Sequence, residues 1–237
     1  MNKQKFFTGR KKGFTLAEVL IVLLVIGIIA AFTIPLLVSK INNAKFVTGL
    51  QKAAYTFSNM TNVAQIDVKM DNWNFDLPTE DLANEYIKPH LNVAKDCGTK
   101  TGEGCFGKNY TLRDGTADTD YDNSSDYYKL VTGDGISIGI KGIQGCTNEN
   151  PSVCIEYIVD VNGVNPPNTL GKDVHVFQTL AHLNAVVPYG TFKDGGYNPA
   201  TGKWTFEETE VASTNCLSGD AKYCTAKIIN DGWEIKY

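Results

Sequence analysis

Few side chains in this sequence stand at spacings that could do chemistry, and they do not converge on one reaction. Gly135-Ile136-Ser137-Ile138-Gly139 has the G-x-S-x-G form of a nucleophile elbow, with His175 and His182 downstream as bases on paper. An elbow needs a strand, a sharp turn and then a helix. Ile136, Ile138 and Ile140 instead alternate with small residues as in a strand, and no helical pattern follows, so the match reads as accidental. Asp118, Asp120 and Asp122 begin like a calcium loop, but Asn123 stands where glycine is needed and Lys129 where a bidentate glutamate belongs. The expectation is therefore a solvated loop and no resident cofactor, with calcium as the alternative. His90, His175 and His182 show no metal-ligand spacing with one another and read as surface or packing residues. That leaves Glu18, an acid at the head of the uncharged run from Val19 to Val38.

The elements that must position Glu18 are set by that run. Its 20 residues suffice as a helix to cross a hydrocarbon core about 30 Å thick. A secretory signal would have an apolar core of about 7 to 15 residues and a small-x-small cleavage site after it; this core is longer and no such site follows. A plain signal anchor accounts for the length and the basic flank but not for Glu18. A charge near mid-bilayer costs roughly 2.5–3.5 kcal/mol on insertion scales, so an ionisable group there points to function.

Lys11-Lys12-Gly13-Phe14-Thr15-Leu16-Ala17-Glu18 resembles the leader junction of type IV pilins and the pseudopilins of type II secretion. The resemblance implies cleavage between Gly13 and Phe14 by a prepilin peptidase, N-methylation of Phe14, and a role for Glu18 in assembly. Cutting before the apolar segment would leave the anchor intact and free an amine able to neutralise a neighbour's carboxylate. Pro35, where many members of that family carry a helix-bending proline, would kink the helix. The implied partners are prepilin peptidase, other pilin or pseudopilin subunits, an inner-membrane assembly platform and, before assembly, membrane lipid.

Charge and cysteine usage agree with export. Lys3, Lys5, Arg10, Lys11 and Lys12 precede Gly13 with no acid, so the net charge of −4 becomes −9 once those five are removed. A basic flank before a first span favours a cytoplasmic N-terminus and an extracytoplasmic body. An acidic body lacks the clustered Lys and Arg that bind phosphates, so no nucleic-acid partner is expected. Six cysteines fall as Cys97/Cys105, Cys146/Cys154 and Cys216/Cys224, with the same spacing three times. Fifteen connectivities exist; the repeated spacing favours three local loops, each worth about 2–3 kcal/mol by the chain-entropy argument. With no C-x2-C pair and no nearby paired histidines, a zinc site is the weaker alternative.

Along the chain, residues 1–13 read as a cytoplasmic leader, 14–38 as a transmembrane and assembly helix, 39–68 as its amphipathic continuation and 69–237 as an extracytoplasmic globular domain. Ile41, Ala44, Val47, Leu50, Ala54, Phe57, Ala64 and Val68 recur mainly at steps of three and four. A helix from Phe14 to near Val68 would be a rod of roughly 80 Å at 1.5 Å per residue, weakened at Gly49. Thr79 should cap a short helix that Pro89 ends. Tyr127–Thr132 and Ile136–Ile140 around Gly133-Asp134-Gly135 predict a hairpin. Cys154–Val161 before Asn162-Gly163, and Val174–Leu180, predict two further strands. Trp204 and Phe206 should cover one sheet face, 221–229 should be a short helix, and a last strand should end the chain. Between Cys216 and Cys224, a stapled loop is a candidate contact region by analogy with pilins.

The fold class expected is α+β: a long N-terminal helix packed on a C-terminal antiparallel sheet, pilin-like. The expected function is a non-enzymatic structural subunit of a type IV pilus or a type II secretion pseudopilus. The alternative is a membrane-anchored extracytoplasmic binding protein, an adhesin or a DNA-uptake minor pilin.

Overall fold

From Leu16 to Asp67 the chain is one helix, α1, of 52 residues, and Pro35 lies inside it without interrupting it. The computed structural model describes residues 13–146, 153–180, 183–191, 197–198, 203–204, 216 and 221–237. Two units make up the chain, residues 1–42 and 43–237. In the first, every described side chain from Phe14 to Asn42 except Ala30 is exposed. Apolar residues surround this part of α1, which is long and apolar enough to cross a membrane. A helix apolar all round needs an apolar environment, either lipid or other helices.

In the second unit α1 changes character. Val47, Leu50, Ala53, Phe57, Met60, Thr61 and Ala64 are buried, and they fall at helical spacing. Phe57 is the centre of this face: its ring centroid lies 4.9 Å from that of Tyr157 and 5.1 Å from that of Phe177. Burying such a side chain contributes about 1.5–3 kcal/mol. Of the positions expected to face inward, Ile41, Ala44 and Val68 are exposed, while Ala53 and Met60 join the core. Gly49 has a packing reason. A Cβ there would stand 2.7 Å from Val161 Cβ, so the missing side chain lets the helix pass close to the chain just after the fourth strand.

Six strands form an antiparallel sheet in sequence order: β1 (Val93–Gly98), β2 (Tyr128–Thr132), β3 (Ser137–Gly142), β4 (Val153–Asp160), β5 (Val174–Leu180) and β6 (Val186–Pro188). The hairpin and the next two strands lie where the alternation and turn residues place them. Register carries Leu130 opposite Ile138, Ile138 opposite Val159 and Val159 opposite His175. These residues share the face that packs on α1, with Tyr128, Ile140, Tyr157 and Phe177. Since successive residues of a strand point to opposite faces, Lys129, Ser137, Glu156, Ile158, Asp160, Val174 and Val176 lie on the other side.

That second face is covered too, and here several expectations fail. The acidic stretch 110–126 is a solvated loop only in part: Asp114, Asp120 and Asp126 are exposed, but three of its residues turn inward. Tyr110, Tyr121 and Asp122 are buried, and with Phe106 and Tyr127 they form a second core over Ile158, Val174 and Val176. Phe106, Tyr110, Tyr121 and Tyr127 meet in tilted and edge-on pairs 5.0–6.0 Å apart, a preferred aromatic geometry. Helix α3 (Cys224–Asn230), entered by a 3-10 turn at Ala221–Tyr223, adds Cys224 and Ala221 to this core. Trp204 belongs to a two-residue pairing of β7 (Tyr197–Asn198) with β8 (Lys203–Trp204), and Phe206 lies outside the described residues.

Two boundary details also differ. Helix α2 (Thr79–Leu82) has Pro78, not Thr79, at its N-cap, and the Thr79 hydroxyl instead accepts the Gly142 N–H at 3.2 Å. Its path continues as a π turn over Ala83–Ile87 and a 3-10 turn over Lys88–His90, one residue past Pro89. Residues 233–237 form no strand. Helix α3 ends in a Schellman motif, Gly232 N–H on Ile229 O at 3.2 Å and Trp233 N–H on Ile228 O at 2.9 Å. The tail then lays Trp233, Ile235 and Tyr237 on the body without ladder bonds.

Candidate functional site

At the start of α1 the first residues make a closed set of hydrogen bonds. The Thr15 N–H and the Thr15 hydroxyl both donate to Glu18 Oε2 at 2.8 Å, and the Glu18 N–H donates to Thr15 Oγ1 at 3.2 Å. This is a capping box, with Thr15 at the N-cap and Glu18 three residues on, each satisfying a backbone donor the helix leaves open. The signal was present in the sequence as S/T-x-x-E before an apolar run. It supplies a local reason for an acid at this position that does not require a neighbouring chain. Phe14, the residue before the cap, is 88 % exposed, and the apolar flank of Val19, Ile21, Val22 and Leu23 begins immediately after the box.

The body holds its titratable side chains in structural networks. Asp122 accepts the N–H groups of Gly104, Cys105 and Phe106 at 3.0, 2.9 and 3.2 Å, pinning the loop closed by the Cys97–Cys105 disulfide. Asp118 accepts the Tyr121 hydroxyl at 2.8 Å, and Asp120 accepts from the Asn123 amide at 2.8 Å. The three aspartates of the D-x-D-x-D run are thus spent on different partners. Among the described residues, no three His, Cys, Asp or Glu side chains gather as a metal site. Lys129, fully buried, donates to the carbonyls of Asp122 and Ser124 at 3.1 and 2.6 Å, and burial pulls its pKa down.

A deeper cluster was not anticipated. Asp160 accepts the Tyr110 hydroxyl at 2.7 Å, and Asp173 accepts the N–H groups of Asn168 and Thr169 at 2.8 and 2.7 Å. Both carboxyls are fully buried. Burial pushes the Asp160 pKa up to about 8, with the Asp173 charge adding to the rise and the Tyr110 hydroxyl opposing it; burial raises Asp173 as well. His175 is buried beneath α1 with neither ring nitrogen hydrogen-bonded to a side chain, and burial lowers its pKa to about 3.

These positions separate the residues of the G-x-S-x-G reading. Ser137 pairs with Asp160 and His175 with Val159, so the two lie on opposite faces of the sheet. Ser137 is buried and its hydroxyl donates to the Cys105 carbonyl at 2.5 Å. No nucleophile and base meet there. His182 lies outside the described residues, and the half-buried His90 has its Nε2 3.8 Å from the exposed Asp67 carboxylate. The cysteines are joined Cys97–Cys105, Cys146–Cys154 and Cys216–Cys224. Gly171, at φ +79°, leaves room for the last of these, since a Cβ there would come within 2.6 Å of Cys224 Sγ. The stapled loop at 217–220 lies outside the described residues.

Residues 8–34 match the prokaryotic N-terminal methylation motif. That motif is the signal of type IV pilin and pseudopilin precursors, a structural family whose members are processed by prepilin peptidase and assemble with other pilins. It spans the capping box, Glu18 and most of the exposed apolar part of α1. A long N-terminal helix followed by an antiparallel sheet is, correspondingly, a pilin-like α+β architecture. No curated protein and no solved structure matches the chain.

Proposed function

We propose that this chain is a pilin-like structural subunit of a type IV pilus or a type II secretion pseudopilus. It is inserted with residues 1–13 in the cytoplasm and 69–237 outside, cut between Gly13 and Phe14, and methylated on Phe14. Membrane lipid surrounds residues 14–38 until an inner-membrane platform passes the chain into a fibre, where the same residues pack against neighbouring helices. The observation that carries the reading is the coincidence, over one stretch, of the methylation motif with an apolar helix whose side chains are exposed from Phe14 onward.

In this reading Glu18 has two successive tasks. In the uncut chain its carboxylate closes the capping box with Thr15. After cleavage the new Phe14 amine of a neighbour offers a full positive charge, a stronger partner for a carboxylate than a neutral donor, and the pairing sets the register of helix on helix. Pro35 removes one backbone donor within the span and bends the helix there.

The test is intact-mass and N-terminal analysis of the protein from its native host. A chain starting at N-methylated Phe14 is expected in both membrane and sheared-fibre fractions. An uncut Met1 terminus, or a terminus beyond Val38, would overturn the proposal in favour of a tethered or secreted domain.

A further inference from the structure

Lys129 carries its charge into the covered second face of the sheet, where the whole side chain is buried. It stands opposite Gly98 on β1 and Gly139 on β3, so no side chain flanks its stem on either neighbouring strand. A buried ammonium is costly unless its charge and its donors are met. The charges of Asp122, Asp120 and Glu103 favour it without a hydrogen bond to it, and the Asp122 carboxylate is taken by the N–H groups of residues 104–106. Its donors go instead to two neutral oxygens, the carbonyls of Asp122 at 3.1 Å and Ser124 at 2.6 Å. Backbone carbonyls are ligands that acidic loops offer to a hard cation.

The spacing in the sequence matches that geometry. Counted from Asp118 as the first position, Ser124 is the seventh and Lys129 the twelfth. In a calcium loop the seventh position turns its carbonyl on the ion and the twelfth brings up a carboxylate. Here the seventh carbonyl is turned on the ammonium of the twelfth residue. The aspartate side chains do not converge on that point, being held by Tyr121, Asn123 and the N–H groups of residues 104–106. More than one loop depends on the contact. The Asp122 carbonyl also accepts the Gly102 N–H at 3.0 Å, so Lys129 grips the residue that in turn pins the first disulfide loop.

We propose that the Lys129 ammonium is a built-in cation that closes the 118–126 loop over the second core, in the place of a metal ion. This goes beyond the subunit reading and does not depend on it. Lys129 is a positioning residue: through Asp122 and Ser124 it keeps Tyr121 covered, and the body closes without a divalent ion.

The test is chemical rescue on the full chain in nanodiscs, read as Tm and as the rate of chymotryptic cleavage after the buried Tyr121. Lys129→Ala leaves two buried carbonyls without a donor and should speed that cleavage by about tenfold or more. Propylammonium, which replaces the missing atoms, should restore most of the lost Tm and protection, and 1-propanol, which lacks the charge, should not. The parent should show the same Tm and cleavage rate with EDTA as with added calcium. Equal effects of the two additives, whether both restore or neither does, would overturn the proposal. If Lys129→Ala does not fold, the parent decides. Reductive methylation should then reach Lys129 far more slowly than the exposed Lys100. Methylation of the two at one rate, or faster cleavage after Tyr121 in EDTA, would overturn the proposal and leave the subunit reading standing.

Discussion

Raising the pH from 6.5 to 8 should destabilise the body, and Asp160 is the reason. Buried at the end of β4, its carboxyl keeps its proton up to about pH 8, against an ordinary value near 4 in an unfolded chain. Between those values the folded state holds a proton that the unfolded state has released. Stability therefore falls as pH rises through that interval and levels off above about 8. His175 acts in the opposite sense. Buried neutral, with a pKa near 3 against about 6.5 unfolded, it makes stability fall as pH drops below 6.5. The two slopes offset each other from about pH 4 to 6.5, which leaves a window from 6.5 to 8 where His175 no longer opposes Asp160. At 1.36 kcal/mol per unit the loss across that window is about 2 kcal/mol. For a unit the size of residues 43–237 this lowers Tm by about 4–8 °C. Asp173, also raised by burial, adds in the same direction. The assay is thermal unfolding of the full chain in nanodiscs, followed by circular dichroism from pH 6 to 9. Asp160→Asn, which keeps an acceptor for the Tyr110 hydroxyl but cannot ionise, should make the fall above 6.5 shallower, leaving only the part that Asp173 supplies. A parental Tm constant from 6.5 to 8, or an Asp160→Asn profile as steep as the parental one, would refute the argument.

Glu18→Gln separates the cap from the charge, because glutamine also serves in a capping box. It should be processed at Gly13 yet reach sheared fibres far less than the parent in immunoblots, and incorporation at parental levels would leave Glu18 only a cap. Gly49→Ala should destabilise by about 1–2 kcal/mol in thermal melts: the helix gains about 1 kcal/mol of propensity, but the clash with Val161 at 2.7 Å costs more. Phe57→Ala should cost about 3–5 kcal/mol in the same melts, as it opens a cavity against Tyr157 and Phe177. Asp122→Ala strands three N–H groups of the first disulfide loop and should cost at least 2 kcal/mol, with faster proteolysis at residues 98–105 as its readout.

What could be read from sequence was what local pattern controls. Ile136, Ile138 and Ile140 alternate beside a Gly-Asp-Gly turn, and a period of two survives in any environment, so β2 and β3 lie where expected. The inward stripe of α1 was legible for the same reason, except that Ala53 and Met60 replaced the outermost positions. The second core was not legible. A stretch with five aspartates looks solvated until Asp118, Asp122 and Asp160 are seen to be the partners that let Tyr110, Tyr121 and the first disulfide loop go inside. Asp118 and Tyr121 are near neighbours, but the other partners are distant in sequence: Tyr110 and Asp160 are 50 residues apart, Cys105 and Asp122 17. The C-terminal tail misled through composition. Alternating aromatics suggest a strand, but here they dock by side chain alone, which no pattern of two distinguishes. At the N-terminus the resemblance to pilin precursors drew attention to the charge of Glu18, while Thr15, the residue that holds it, carried an equally readable signal.

The sheet itself limits how copies can meet. Its two edges are β1 and β6, and an open edge is a template for adding strands from another chain. β1 is interrupted twice, with register shifts between Val93 and Lys95 and between Asp96 and Gly98. Lys95 and Asp96 are exposed along it, and bulges with charges are the usual guards of an edge. β6 is three residues long and ends in Pro188, which has no N–H to donate. Neither edge offers a ladder to a second copy. With strand addition blocked, the surface left for repeated contact is helical, the exposed apolar half of α1. Grafting a longer, uninterrupted β1 by deleting one of its irregularities should therefore convert ordered assembly into sheet-edge aggregation, visible as thioflavin-positive material in place of sheared fibres. If such a variant still gave normal fibres and no aggregate, the edges would have no part in directing assembly onto the helix.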